Sequence, residues 1–281
     1  MDDRIDDRSF DRNFVSIAQI TDTHLFAERD RTLTGIPTQQ SFQAVLAHIQ
    51  QTVPEIDLLL LTGDLSQDCS AESYLFMRRC LEEFGKPAYA LAGNHDIIPL
   101  MQSHLPSENV HLERSLDFGD AHPWRLIMLN SVVVEAVHGY LDNAELDYLE
   151  TDLQAHPDQP TLIAFHHPAI AIGTSWMDCI SLENKEQFWE ICDRYPQVQV
   201  VVNGHAHQAF DQIHSTPHNF VRCLVTPSTC IQFQPHSDAF AIDPQSAGFR
   251  HLKLYDNGSL ETTIYRLPTG QFPADLNAIS Y

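Results

Sequence analysis

The chain has 281 residues, 43% of them hydrophobic, and a formal net charge of -22 from 38 acidic against 16 basic side chains. That length and apolar content support a globular core in one large domain or two small ones. The acidic balance argues against binding nucleic-acid phosphates or an anionic membrane surface, both of which need clustered Lys and Arg; a small anionic substrate stays compatible if a bound cation attracts it.

The opening MDDRIDDRSFDRN is acidic and polar, without the apolar stretch of a secretory signal, so residues 1–12 are expected to be a disordered acidic tail. From there the chain alternates apolar runs with helical patterns. FVSIAQI (14–20) reads as a strand, and Phe42, Val45, Leu46 and Ile49 follow at helical spacing. DLLLLT (57–62) is a second strand, SAESYLFMRRCLEEF (70–84) a helix, and PAYAL (87–91) and RLIMLN (125–130) are strands. In DNAELDYLETDL, Asp142 stands three residues before Glu145 in a capping-box-like start, with Leu146, Leu149 and Leu153 on one face. TLIAF (161–165) is a strand, Phe188, Ile191, Cys192 and Tyr195 mark a helix, and QVVVN (199–203) is a further strand. FVRCLV (220–225) and FRHLKLY (249–255) are strands with no helix between them. The alternation predicts an α/β fold, and the helix-poor end a second, partly antiparallel sheet. No repeat or flexible linker divides the chain, so one domain over residues 13–268 is expected, with a C-terminal tail at 269–281.

The apolar runs are short, Leu58 to Leu61 among them, where a membrane span needs ~20 residues. The six cysteines include no C-x-x-C pair, which favours free thiols in the reducing cytoplasm.

The chemistry sits where strands end. The first strand exits into Asp22 and His24, the second into Asp64, and the third into Asn94, His95 and Asp96; later strands exit into His166–His167 and into His205 and His207. Binding crevices of open α/β sheets lie outside the carboxyl ends of the strands, so these groups are expected along one edge of one sheet. Seven candidate ligands (Asp22, His24, Asp64, Asn94, His166, His205 and His207) exceed what one tetrahedral ion needs and suffice for two ions if a carboxylate bridges. Gly63, Gly93 and Gly204, each just before a candidate ligand, are expected to turn the chain sharply off its strand. Singly, each feature has an ordinary reading. An Asp at a strand end forms turns or caps helices, and a lone His is usually a surface or satisfied core residue, as His48, His122 and His251 are read. Five such stretches at equivalent places are what argue for a site.

D-x-H, G-D, G-N-H-D, H-H-P and G-H-x-H, in this order, resemble the calcineurin-like metallophosphoesterases over roughly residues 14–260. The resemblance implies a four-layer α/β/β/α sandwich of two mixed sheets with a dinuclear site. One ion would take Asp22, His24, Asp64 and His207; the other would take Asp64, Asn94, His166 and His205. His167 has no clear assignment. LLLTGDLSQD, GYLDNAELDYLE and TPSTCIQFQPHSDAF look like the bacterial class III 3',5'-cyclic AMP phosphodiesterases. Composition and spacing alone reach only a two-metal hydrolase.

In such sites, with ions ~3.5–4 Å apart, a bridging water loses a proton near neutral pH and becomes the nucleophile. His95, not a ligand here, is free to donate to the phosphate or the leaving oxygen, with Asp96 orienting its ring. His24, Asp64, Asn94, His95 and His207 would face the substrate. Fe or Mn suits the mixed N/O ligand set best, and Zn is also accepted. The site stretches GDLSQD, GNHDI, HHPAI and GHAHQ contain no Lys or Arg. A phosphomonoester dianion usually calls for an arginine clamp, whereas a cyclic diester is a monoanion. That points the same way as the resemblance, which implies conversion of cyclic AMP to 5'-AMP, with a glycerophosphodiester hydrolase or a non-catalytic metal-binding scaffold as the alternatives. Phe233 and Phe240 could stack on a base or belong to the core, and the chain could be a monomer or a homodimer.

Overall fold

A computed structural model describes residues 12–119 and 123–280. The expected disorder of residues 1–11, and His122, lie outside the described residues. In chain order the strands are β1 (Phe14–Ile20), β2 (Thr32–Leu33), β3 (Ile36–Pro37), β4 (Leu58–Thr62), β5 (Ala88–Leu91), β6 (Val110–His111), β7 (Ser115–Phe118) and β8 (Trp124–Met128). They continue as β9 (Thr161–Ala164), β10 (Val198–Asn203), β11 (Phe210–Ser215), β12 (Phe220–Val225), β13 (Gln232–Phe233), β14 (Ile242–Asp243), β15 (Gly248–Tyr255) and β16 (Leu260–Arg266). The helices are α1 (Thr38–Thr52), α2 (Ala71–Phe84), α3 (Ile98–His104), α4 (Asn143–Ala155), α5 (Ser175–Asp178) and α6 (Lys185–Cys192).

Two six-stranded mixed sheets form, in the orders β16-β15-β1-β4-β5-β6 and β11-β12-β10-β9-β8-β7. The layering follows from the two-residue period of a strand. In β4, Leu58 and Leu60 join Leu162, Val200 and Val202 in the core between the sheets, while Leu59 and Leu61 join Phe42, Val45, Met77 and Leu81 under α1 and α2. In β10, Val200 and Val202 point inward and Val201 outward, against Leu149 and Phe188 of α4 and α6. Helix, sheet, sheet, helix is the result.

The start signals of two helices are realised. The Ser70 hydroxyl accepts from Ser73 N at the start of α2, and the Asp142 carboxylate accepts from Glu145 N at the start of α4. The return half of the second cap does not form: Glu145 accepts instead from Asn130 N at 3.0 Å and pairs with Arg114 at 2.7 Å.

Two expectations need correction. The late strands do not build a separate sheet. β12 lies parallel to β10 in one sheet, and β15 lies antiparallel to β1 in the other. Nor does one sheet carry the site: β1, β4 and β5 belong to the first sheet, and β9 and β10 to the second. Strand runs alike in composition give no sign of which sheet they join, because pairing is a long-range choice. Residues 269–280 form an irregular segment lying on the body, where Phe272 packs against the core and Asp275 N donates to Thr34 O at 2.7 Å.

Candidate dinuclear metal centre

The two sheets bring their motif-bearing strand ends together, and the backbone there is unusual. Asp22, His24, Asp64, His205 and His207 all have positive φ, between 45° and 68°. Such backbone costs on the order of 1–3 kcal/mol per residue and persists only where surroundings over-determine it. Here they do: Asp22 N donates to Gly63 O and His24 N to Asp64 O, both at 3.0 Å, and His205 N donates to the Asp22 carboxylate at 3.0 and 3.1 Å. The glycines act differently from the expectation. Only Gly63 has a positive φ, of 93°. Gly93 and Gly204 instead provide clearance: a Cβ on Gly93 would stand 2.2 Å from Asp64 Oδ1, and one on Gly204 2.0 Å from Thr21 Oγ1 and 3.0 Å from Asp22 Oδ2.

The sequence-predicted ligands converge. His207 Nε2 lies 3.1 Å from His24 Nε2 and 3.5 Å from Asp22 Oδ1, and His24 Nε2 lies 3.9 Å from Asp64 Oδ2. On the other side His166 Nε2 lies 3.2 Å from Asp64 Oδ2 and 3.9 Å from Asp22 Oδ1. Donor atoms within 4.8 Å of one another define overlapping sets: Asp22, His24 and His207; Asp22, Asp64 and His166; His24, Asp64 and His95; and His166, His167 and His205. Asp64 belongs to the middle two and so stands between the groups.

Three rings are held from behind, leaving Nε2 for the site. The second nitrogen, Nδ1, lies 2.6 Å from Gln67 Oε1 in His24, 2.8 Å from Thr62 O in His166 and 2.9 Å from Ile231 O in His207. A carbonyl at Nδ1 selects the Nδ1–H tautomer and aims the Nε2 lone pair forward. Three enclosed atoms at the centre have no hydrogen-bond partner among the described residues: both ring nitrogens of His205 and Asn94 Oδ1. Buried polar atoms are rarely left so, and this nitrogen-and-oxygen set fits divalent metal ions.

The electrostatics agree. Burial and the neighbouring His95 pull the His24 pKa down to about 3, and burial with His166 pulls His205 down to about 3, so both rings stay neutral, the ligating form. Burial opposes charge on His166, but Asp64 and Asp22 outweigh it and push that pKa up to about 9. Burial would raise the Asp64 carboxyl, yet His166 and His95 hold it well below the usual range. A cation between these groups would relieve the same attraction.

His95 is half-buried, its ring edge-on to His24 at 4.9 Å, and its main-chain N–H donates to Asp64 Oδ1 at 2.8 Å. Asp96 does not orient that ring. Its carboxylate accepts from Gly93 N at 2.9 Å, Leu65 N at 3.1 Å, Ser66 N at 3.1 Å and Tyr74 Oη at 2.9 Å. It therefore ties the loop after β4 to the loop after β5. His167, buried, has Nδ1 2.8 Å from Ser131 Oγ. Sequence reading gave no role to Gln67, although it lies within the quoted GDLSQD, nor to Tyr74 and Ser131, which only their placement marks.

A family model described as calcineurin-like phosphoesterase matches residues 15–209. The chain belongs to that family. It is 42% identical over 269 residues to a 3',5'-cyclic adenosine monophosphate phosphodiesterase of Vibrio vulnificus, covering 96% of each chain. It is 44% identical over 254 residues to a 3',5'-cyclic-nucleotide phosphodiesterase of Nostoc, covering 90% of this chain and 93% of the relative. Among solved structures, a dimetal phosphatase from Danio rerio superposes with a TM-score of 0.61 at 13% identity, over 90% of this chain and 99% of that one. The last likeness shows the fold alone, and it is the four-layer sandwich expected.

Proposed function

We propose that this protein is a metal-dependent 3',5'-cyclic-nucleotide phosphodiesterase that converts cyclic AMP to 5'-AMP. The observation that carries the reading is the placement of Asp64 between two sets of ligating groups, with His24 on one side and His166 on the other. The substrate is that of relatives matched over nearly the whole chain. Asp22, His24, Asp64 and His207 would hold one ion, and Asp64, Asn94, His166 and His205 the other, with Fe or Mn preferred to Zn. When bound, the ions offset phosphoryl charge and lower the pKa of the attacking water.

The chain's own groups do the rest. His24, Asp64, Asn94, His95 and His207 line the place where the phosphoryl group rests. Asp64 Oδ1 receives the His95 N–H, which fixes that residue beside the centre. His95 donates a proton or hydrogen bond to the leaving O3'. Lys and Arg are absent from the site stretches, in keeping with a monoanionic diester. All six cysteines are free thiols, and no helix among the described residues is long and apolar enough to cross a membrane, in keeping with work in the cytoplasm on a small molecule.

The test is to strip the protein of metal, reload it with single metals, and compare turnover of cyclic AMP, cyclic GMP and glycerophosphodiesters, separating the products by chromatography. The expected product is 5'-AMP, without onward release of phosphate. Accumulation of 3'-AMP, release of phosphate, or a preference for glycerophosphodiesters would overturn the reading.

A further inference from the structure

We infer that the base of the nucleotide rests against Trp176 and Phe240, an aromatic rim beside the ligand His207; this rests on the cyclic-nucleotide reading above. The two phenylalanines have different fates. Phe233 is 1% exposed and lies flat on the His207 ring, with centroids 4.2 Å apart and planes 12° from parallel. It is core, and it backs the ligand. Trp176 meets Phe233 edge-on at 5.1 Å and Phe240 at 5.7 Å, and Phe240 meets Phe233 at 5.5 Å. Both outer rings are only half-buried. The cluster thus runs from a metal-ligating ring, through the buried Phe233, to two half-buried rings in two aromatic contacts.

The rim is held in register with the centre. Gln208, which follows His207, donates from Nε2 to Thr174 Oγ1 at 3.1 Å, and His236 N donates to the same oxygen at 3.1 Å. The Ser175 hydroxyl donates to Asp238 Oδ1. Three segments, around residues 174, 208 and 237, are therefore tied to one another. Neither GTSWMDCI (173–180) nor QPHSDAFAID (234–243) contains Lys or Arg. The rim is unsuited to an anion and suited to a flat, uncharged ring, which stacks on aromatic faces whatever its identity.

The experiment compares cyclic AMP with ribose 3',5'-cyclic phosphate lacking the base, on metal-loaded enzyme. The wild type should show the lower KM for cyclic AMP. Trp176→Ala should close that gap by raising the cyclic AMP KM about tenfold or more, and Trp176→Phe should largely restore it; Phe240→Ala gives an independent second variant. A binding readout runs in parallel. Trp124 and Trp189 are 1% and 8% exposed, so tryptophan fluorescence quenched by 5'-AMP but not by ribose 5-phosphate reports Trp176, and Trp176→Phe should abolish it. Equal KM increases for both substrates, or an unchanged gap in both alanine variants, would overturn the rim. A wild type that cleaves neither cyclic phosphate would overturn the phosphodiesterase reading itself, and the rim with it.

Discussion

Replacing Asp96 by Asn separates an anchor from a catalyst. Oδ2 of Asp96 accepts from Gly93 N at 2.9 Å, while Oδ1 accepts from Ser66 N at 3.1 Å and Tyr74 Oη at 2.9 Å. Whichever way an amide is turned, its NH2 faces a main-chain donor, Gly93 N or Ser66 N. Losing a bond to a charged acceptor and stranding a buried donor together cost roughly 2–4 kcal/mol. For a chain of this size that lowers the thermal midpoint by about 5–15 °C. Both disturbed loops carry ligands, Asp64 and Asn94, so metal affinity should fall by about 10- to 100-fold, as when outer-shell partners are removed. At saturating metal, kcat should return to near the wild-type value. Burial and the Asp64 carboxylate push the Asp96 pKa up to about 6 against its donors, so measurements well above that value address the ionised form. Thermal denaturation of the metal-free protein, calorimetric metal titration and kcat at saturation form the assay. Unchanged stability and metal affinity, with kcat down by about 10² or more, would refute the anchor and restore the role of orienting His95.

Asp64→Asn removes the charge shared between the two ligand sets, so metal analysis should show weakened binding at both sites and turnover should vanish; full metal content with retained turnover would rule out the bridge. His95→Ala should keep both metals and lower kcat by about 10²–10⁴, the range of general acid–base groups, and loss of metal would make His95 a ligand instead. A pH effect is expected away from the site. Burial raises the Asp152 carboxyl, but Arg125, donating from Nε at 2.8 Å and also from Nη2, outweighs it and holds the pKa below the usual range. A carboxyl lowered by folding contributes stability that is full above its unfolded value of ~3.9 and is lost as pH falls through the folded one. Asp152→Asn should therefore be less stable than wild type at neutral pH and lose less on acidification, and equal denaturation slopes against pH would count against the pair.

Short-range features of the sequence determined much of this protein. The alternation Leu58 to Leu61 in β4 sets one face toward the opposing sheet and one toward the helices, and Ser70 and Asp142 start their helices with bonds reaching three residues. The site residues were legible for the same reason, since each motif follows directly on its own strand. Which sheet each strand joins, and hence that the centre lies between two sheets, was not legible. Pairing β9 and β10 apart from β1 and β4 is decided by contacts between residues far apart in the chain. The left-handed backbone of Asp22 and His205 also belongs to the tertiary structure, because the bond from His205 N to the Asp22 carboxylate that helps hold it spans 183 residues. Asp96 shows the limit most clearly. Its neighbour in sequence is His95, yet its hydrogen bonds go to Leu65, Ser66, Tyr74 and Gly93, because a buried carboxylate takes the donors that the packed loops present rather than the nearest ring.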